Sequence, residues 1–397
     1  MTVAGDTLAR LIRDEGTRVL ATLVRVIGSV DLAEDAVQDA VVRALETWPR
    51  DGVPDNPRAW LLVTARRRAV DVLRREAKRV GKEADAMPLA EADPPPSVIR
   101  DDLLRLVFTC CHPCLSVDAQ VALSLRTLGG LSTAEVARGL RLPEATAAKR
   151  LTRAKQKIAT AGIPYRVPAA EELPERLSGV AATVYLIFNE GYAGVRAPLV
   201  DEAVRLARLL ASLMPDEPTV LGLLALLLLH DARRCTRVAD DGLPVLLADQ
   251  DRSLWDAVLI QEGVSLVGRA LRRTPSAPNP YVAEAAIAAC HVLAPTYAST
   301  NWDAVISWYD VLFTVRPSPV VSLNRAAAIA ERDGAAVALP LVDALDVLAD
   351  YPWWHATRAE LLHRLGNHPE ARAALARAES TGLTGGHAAL LRRRLGE

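Results

Sequence analysis

Apolar positions recur at spacings of three and four along nearly the whole chain, and Ala, Leu, Arg and Glu fill most segments between turns. Alternation with a period of two is almost absent, so the pattern predicts an all-α protein. The first helices fall at Leu8 to Val26, Asp31 to Thr47 and Pro57 to Arg79. Asp31 is placed to cap the second, with Glu34 three positions on as its partner. Trp48 to Asn56 is rich in turn formers and reads as a loop. From Gly81 to Ser97 the chain carries four prolines and an acidic excess with no apolar face, the composition of a linker. A second small unit comes next, and after a break at Gly162 to Pro174 the remainder is a long helical region cut by short turns. The division expected is 8–80, a linker at 81–98, then 99–162 and 168–397.

Leu131 to Thr160 is the strongest local pattern. Ser132 and Glu135 make a capping box, Val136, Ala137 and Leu140 supply a core face, and Gly139 is placed to end the first helix where a positive φ costs little. Pro143 suits the first position of the next helix, in which Ala148, Leu151, Ala154 and Ile158 point inward. This is helix-turn-helix grammar. Farther on, Tyr351 to Ser380 sets Leu361, Leu362 and Leu365 against Ala371, Ala374 and Ala378, with Ala359 and Gly366 allowing close approach. Asn301 to Asp333 gives a similar pair, so the C-terminal region predicts helical hairpins of tetratricopeptide type, which bury apolar faces between neighbours and present a groove.

Composition changes this picture little until charge is followed along the chain. Apolar residues make up 50% and charged ones 24% of 397 residues, ordinary for a globular protein. The net charge is only −1, yet Leu131 to Thr160 holds seven basic and two acidic residues, and Arg58 to Arg79 holds eight and two. Two basic helices on a neutral protein point to a partner rich in phosphate. The longest apolar run, Val220 to Leu229, is too short to span a bilayer and reads as a buried helix. The N-terminus has no signal-peptide pattern, and five cysteines without a framework spacing place the protein in the cytoplasm.

The order AEDAVQDAVVRALETW from Ala33, NPRAWLLVTARRRAVDVLRRE from Asn56, a linker, and a helix-turn-helix ending in KRLTRAKQKI resembles an extracytoplasmic-function sigma factor. The resemblance covers about Leu8 to Thr160, region 2 followed by region 4. It implies a protein that binds core RNA polymerase, at the β′ clamp helices and the β flap, and directs it to promoter DNA. Glu34, Asp35, Gln38 and Asp39 fall on its polymerase-binding helix. Asp55, Asn56, Trp60, Arg66, Arg67, Arg74 and Arg75 fall where the minus-10 element is captured. Glu144, Thr146 and Lys149 fall near base edges of the minus-35 element, and Arg150, Arg153 and Lys155 near its phosphates. Arg67 stands where the family more often has Asn, and Ala145 to Lys149 replaces a common Gly-Thr-Val-Lys-Ser stretch, so promoter preference does not transfer.

FNEGY from Phe188, LLLLHDARR from Leu226 and DQDRSLWD from Asp249 resemble the subgroup with a fused tetratricopeptide-like extension, which implies a regulator contacting the sigma parts in cis or a partner in trans. A helix-turn-helix regulator acting without polymerase is the alternative. A hydrolase or transferase would need Glu190, His230 and Asp249 to converge, and no catalytic motif, cofactor or membrane partner is expected. Cys110, Cys111, His112 and Cys114 hint at zinc, but adjacent cysteines at a helix end fit a packed terminator better, so no metal is expected.

Overall fold

In a computed structural model of the chain, residues 3–396 are described except for 81–95, 164, 194–196, 240 and 275–277. The acidic linker expected at 81–98 thus lies almost entirely outside the described residues. Among those described, the regular structure is helical, with one isolated β-bridge between Val238 and Pro244. The chain divides into two compact units, Met1–Leu213 and Met214–Glu397.

The first unit opens with three mutually packed helices, α1 (Val3–Ile27), α2 (Val30–Asp51) and α3 (Pro57–Val80). Alanines 33, 36, 40 and 44 form the buried stripe of α2 and let its neighbours come close. Two expectations for α2 are corrected. Its N-cap is Ser29, whose hydroxyl accepts from the Leu32 amide at 3.3 Å, and Asp31 lies in the first turn. The helix also runs past Trp48 to Asp51 and stops at Gly52, whose φ of +86° a side chain would strain.

Four helices come next: α4 (Pro96–Cys110), α5 (Val117–Thr127), α6 (Thr133–Gly139) and α7 (Glu144–Thr160). The Ser132–Glu135 capping box forms as the sequence predicts. Gly139 has a different purpose from the one expected. It lies inside α6, where a Cβ would sit 3.0 Å from Leu199, and the positive φ falls on Arg141 at 52°. Pro143 is the N-cap of α7 rather than its first residue. Two more helices, α8 (Leu173–Ala193) and α9 (Ala197–Leu213), close the unit. They pack on α4 and α5: Arg176 donates to the Phe108 carbonyl at 2.6 Å, and Thr183 donates to Gln120 at 3.1 Å. The boundary between compact units therefore falls some 45 residues beyond the start expected for the C-terminal domain at 168.

The second unit consists of α10 (Pro218–Asp231), α11 (Ala257–Arg272), α12 (Pro280–Leu293), α13 (Trp302–Val315), α14 (Pro319–Asp333), α15 (Ala335–Asp343), α16 (Pro352–Arg364), α17 (His368–Ser380) and α18 (Gly385–Leu395). The apolar run Val220–Leu229 is buried in α10 throughout. Gly222 is needed there, since a Cβ would lie 2.7 Å from the Val282 backbone nitrogen. Successive helices from α13 to α17 pack as neighbours, in the manner of helical repeats. The hairpin at Tyr351 to Ser380 forms with Ala359, Leu361, Leu362, Ala371, Ala374 and Ala378 buried, whereas Leu365, expected in the core, is exposed at the turn made by Gly366.

Candidate nucleic-acid and partner interfaces

With its alanines committed to the core, α2 turns Asp35, Gln38 and Asp39 to solvent. Val42 and Leu45 continue this surface at 54% and 53% exposure. Apolar side chains so exposed beside acids make a surface suited to a basic, partly apolar partner. Val42 and Leu45 lie beyond Asp39, the last residue that the family resemblance assigns to this face. The signal that extends the surface was present, because 42 and 45 lie off the alanine stripe. Asp39 is paired with Arg68 of α3.

The α2–α3 loop leads to Asn56, whose side-chain oxygen accepts from the Ala59 amide at 3.1 Å and so caps α3. Asp55 and Asn56 are exposed. Trp60 meets Trp48 edge to face, with ring centroids 5.5 Å apart, and is half-buried. The contact supports the packing of α2 and α3. Along α3, Arg67, Arg74 and Arg75 are exposed and Arg66 is half-buried. Arg67, Arg74 and Arg75 share one side of the helix, a strip that could follow a phosphate backbone.

In the helix-turn-helix, Glu144, Thr146, Lys149 and Arg153 are exposed, and Arg150 is half-buried with its guanidinium 3.3 Å from Asp118. A groove of about 420 Å³ runs between α7 and the start of α5, with Lys149, Arg150, Arg153 and Lys157 on one wall and Ser116 and Asp118 on the other. Four cations against one acid suit an anion such as phosphate.

Lys155 does not join this groove. Its ammonium lies 2.9 Å from Glu34 and 2.7 Å from Asp31, both on α2. Burial alone would lower the Lys155 pKa, but Glu34 and Asp31 outweigh it and hold it above the ordinary lysine value. Glu34 is accordingly separated from Asp35, Gln38 and Asp39: it is only 7% exposed and also accepts from Thr127 of α5 at 2.9 Å. A second tie joins Arg25 of α1 to the fully buried Asp102 of α4 at 2.9 Å. The Tyr165 hydroxyl lies 2.7 Å from the Asp102 carbonyl and 3.0 Å from that of Ala21. Sequence spacing gave no sign of these contacts.

Cys110 and Cys111 are buried in the first unit, and burial pushes both thiols above their ordinary pKa. Among the described residues no group of three or more His, Cys, Asp or Glu side chains could hold a metal ion. No helix among them is long and apolar enough to cross a membrane.

The second unit has its own concavity, a pocket of about 380 Å³ lined by residues of α14, α16, α18 and the segment 246–248. Its walls are mainly apolar, with Trp353, Leu390 and Leu391 among them. Its polar groups form a chain in which Arg364 pairs with Glu331 at 2.6 Å and with Glu360 at 3.1 Å, and Glu360 also holds Arg394 at 2.5 Å. His230 lies outside this lining and is half-buried, its ring nitrogen 3.2 Å from Arg233. Burial, helped by Arg233 and Arg237, pushes His230 down to about 3. It is therefore neutral near pH 7. Glu190 belongs to the first unit, and His230 and Asp249 belong to the second.

Residues 11–79 match the family model for sigma-70 region 2, and residues 105–158 that for sigma-70 region 4. Residues 176–271 match a family of unknown function, DUF6596, whose span crosses from one compact unit into the other. The chain is 41% identical over 394 residues to "Uncharacterized protein R00370" of Rhizobium meliloti (strain 1021), covering 95% of this chain and 92% of that protein. The crystal structure of the yeast Tom70 aligns with 98% of this chain and 84% of its own at 12% identity, with a TM-score of 0.37, too low to carry an argument.

Proposed function

Because the chain belongs to the same family as the Rhizobium meliloti protein and is, through sigma-70 regions 2 and 4, a sigma factor or sigma-like transcription regulator, we propose that it binds core RNA polymerase and starts transcription at specific promoters. The observation that carries this reading is the surface of α2, where Asp35, Gln38 and Asp39 stand exposed beside Val42 and Leu45. A protein acting on duplex DNA alone has no need of an acidic, apolar helix face between its basic ones. Core polymerase takes that face. The Arg67, Arg74 and Arg75 strip of α3 holds the minus-10 strand by its phosphates, with Asp55, Asn56, Trp60 and Arg66 around it. Glu144, Thr146 and Lys149 read the minus-35 element, and Arg150 and Arg153 hold its backbone. Melting needs no catalytic group, since it rests on binding the open strand more tightly than the duplex.

The second unit is a regulator in this reading, and its pocket is the place for a ligand or peptide that reports the signal. The test is co-elution of the purified protein with sigma-free core polymerase. A stable complex that Val42→Asp with Leu45→Asp abolishes is expected, and tight binding to duplex DNA without any polymerase complex would overturn the reading. Truncation after Leu213, which keeps α8 and α9 with the helices they pack on, is expected to change promoter output.

A further inference from the structure

The pocket of the second unit is assembled from two kinds of wall. Trp353, Ala356 and Glu360 of α16 and Leu390, Leu391 and Arg394 of α18 line it at spacings of three and four, so each helix turns one face to the cavity. A non-helical strap supplies Leu246, Leu247 and Ala248. The strap is held in place: the Val245 amide donates to the Arg237 carbonyl at 2.8 Å, and the Gln250 side chain donates to the Val245 carbonyl at 3.0 Å. Gly386, at the start of α18, lets it approach, because a Cβ there would lie 2.7 Å from the Pro244 ring. The strap falls inside the stretch 176–271 that matches the family of unknown function, and α14, α16 and α18 lie outside it. The cavity therefore exists only where these two parts of the second unit meet.

Its charges cancel. Arg364 and Arg394 face Glu331 and Glu360, with Arg364 held by both glutamates and Arg394 by Glu360. Both carboxylates are only 19% exposed, and Tyr297 adds a hydrogen bond to Glu331. His387 meets Trp353 edge to face, with ring centroids 5.0 Å apart. Desolvation, with Arg237 adding to it, holds His387 below the ordinary histidine pKa, so it is neutral at pH 7. An anionic ligand would have to draw an arginine away from an enclosed carboxylate, and a cationic one a carboxylate away from its arginine. Either leaves a charge unmatched in a confined place, whereas an uncharged ligand disturbs nothing. Hydrogen-bonding capacity remains for such a ligand. Arg364 spends Nε on Glu360 and Nη1 on Glu331, and Arg394 spends Nε and Nη2 on Glu360, so Arg364 Nη2 and Arg394 Nη1 keep hydrogens that only an acceptor can use. Trp353 is 42% exposed although it lines the cavity, and its ring is open to a flat apolar group.

We propose that this pocket binds an uncharged, largely apolar small molecule with a flat ring and a carbonyl oxygen, the ring against Trp353 and the oxygen accepting from Arg364 or Arg394. Its volume of about 380 Å³ suits a drug-sized molecule and is too small to enclose a helix about 10 Å across. The proposal rests on the regulatory reading of the second unit for what binding serves, and not for binding itself.

The probe is prodan, an uncharged naphthalene dye with one ketone oxygen, whose emission moves to the blue on leaving water. Titrated into the full chain, it is expected to bind saturably with a blue-shifted emission. Anilinonaphthalene sulfonate, a dye of similar size that carries a negative charge, is expected to bind about tenfold more weakly. Trp353→Ala and Leu390→Ala should each weaken prodan by about tenfold. Val347→Ala, which removes a 72% exposed apolar side chain outside the lining, should leave it unchanged. Glu360→Gln releases Arg394 and gives the lining a net positive charge, so it should tighten the sulfonate by about tenfold. A native near-ultraviolet circular dichroism spectrum for each variant separates loss of the site from loss of the fold. Three results would overturn the proposal: no saturable binding of prodan, prodan binding untouched by both Trp353→Ala and Leu390→Ala, or tighter binding of the sulfonate than of prodan by the unaltered chain. If prodan binds as expected but truncation after Leu213 leaves promoter output unchanged, the site stands and the regulatory reading falls.

Discussion

The two units bury their polar groups in different ways. In the first, buried carboxylates tie distant stretches of sequence together: Glu34 meets Lys155, and Asp102 meets Arg25. In the second, α10 buries ten apolar residues in succession, and two half-buried histidines, His230 and His291, are kept neutral by desolvation and nearby arginines. Ion pairs between modules can be exchanged for water or a partner at modest cost once they open, whereas an apolar interior cannot. The first unit buries apolar side chains as well, Leu23, Leu61, Leu106 and Phe108 among them, so the difference lies in its added buried ion pairs.

The largest test of this contrast is a cavity in the second unit. Leu226→Ala should cost about 2–5 kcal/mol, seen in the urea unfolding of Met214–Glu397 as a shifted midpoint, while DNA and polymerase binding by the first unit stay intact. A loss of both together would show that the units do not behave separately. Acid comes next. His230 and His291 are pushed down to about 3 and about 4, chiefly by burial, and regain about 6.5 on unfolding. The unfolded chain therefore takes up protons that the folded one refuses as pH falls below about 6.5. Stability of the second unit should drop by about 2 kcal/mol per histidine between pH 7 and pH 5, and His230→Asn should flatten that slope. The first unit, whose single histidine is His112, should change less over that window.

A smaller effect separates the groove from Lys155, which is paired with Asp31 and Glu34. Lys149→Ala should reduce the slope of log affinity for promoter DNA against log salt by about 1, because one phosphate contact is lost. Lys155→Ala should leave that slope as it is. The smallest change is Ser132→Ala, expected to cost about 1 kcal/mol by removing a helix cap, measured by thermal unfolding.

Much of the fold was legible because it is local. The Ser132–Glu135 box, the buried run in α10 and the hairpin of α16 with α17 all arise from spacings within a few turns. The basic residues of α3 and α7 were readable for the same reason, whereas the wall that Ser116 and Asp118 add to the α7 groove was not. The features that escaped notice depend on contacts between distant stretches. Nothing near Glu34 signals that Lys155, 121 positions away, will enclose it. Gly139 looked like a helix stop because glycine permits a positive φ, but its place is fixed by Leu199 on α9, a helix expected in another domain. The break at Gly162 to Pro174 is likewise a matter of composition, whereas Tyr165 within it and Arg176 of α8 bond to α4, and α8 and α9 fall in the first compact unit although the family match at residues 176–271 spans the division. Composition locates loops. It does not say which side of a loop belongs to which core.

The central claim is that the acidic, apolar face of α2 and the two basic helices work together on polymerase and promoter. Run-off transcription with sigma-free core polymerase, on DNA upstream of neighbouring genes, tests it most directly. The expected result is initiation at a defined start site that requires the protein and is lost with Val42→Asp and Leu45→Asp, although the variant remains folded. Transcripts with no defined start, or initiation untouched by those two substitutions, would contradict it.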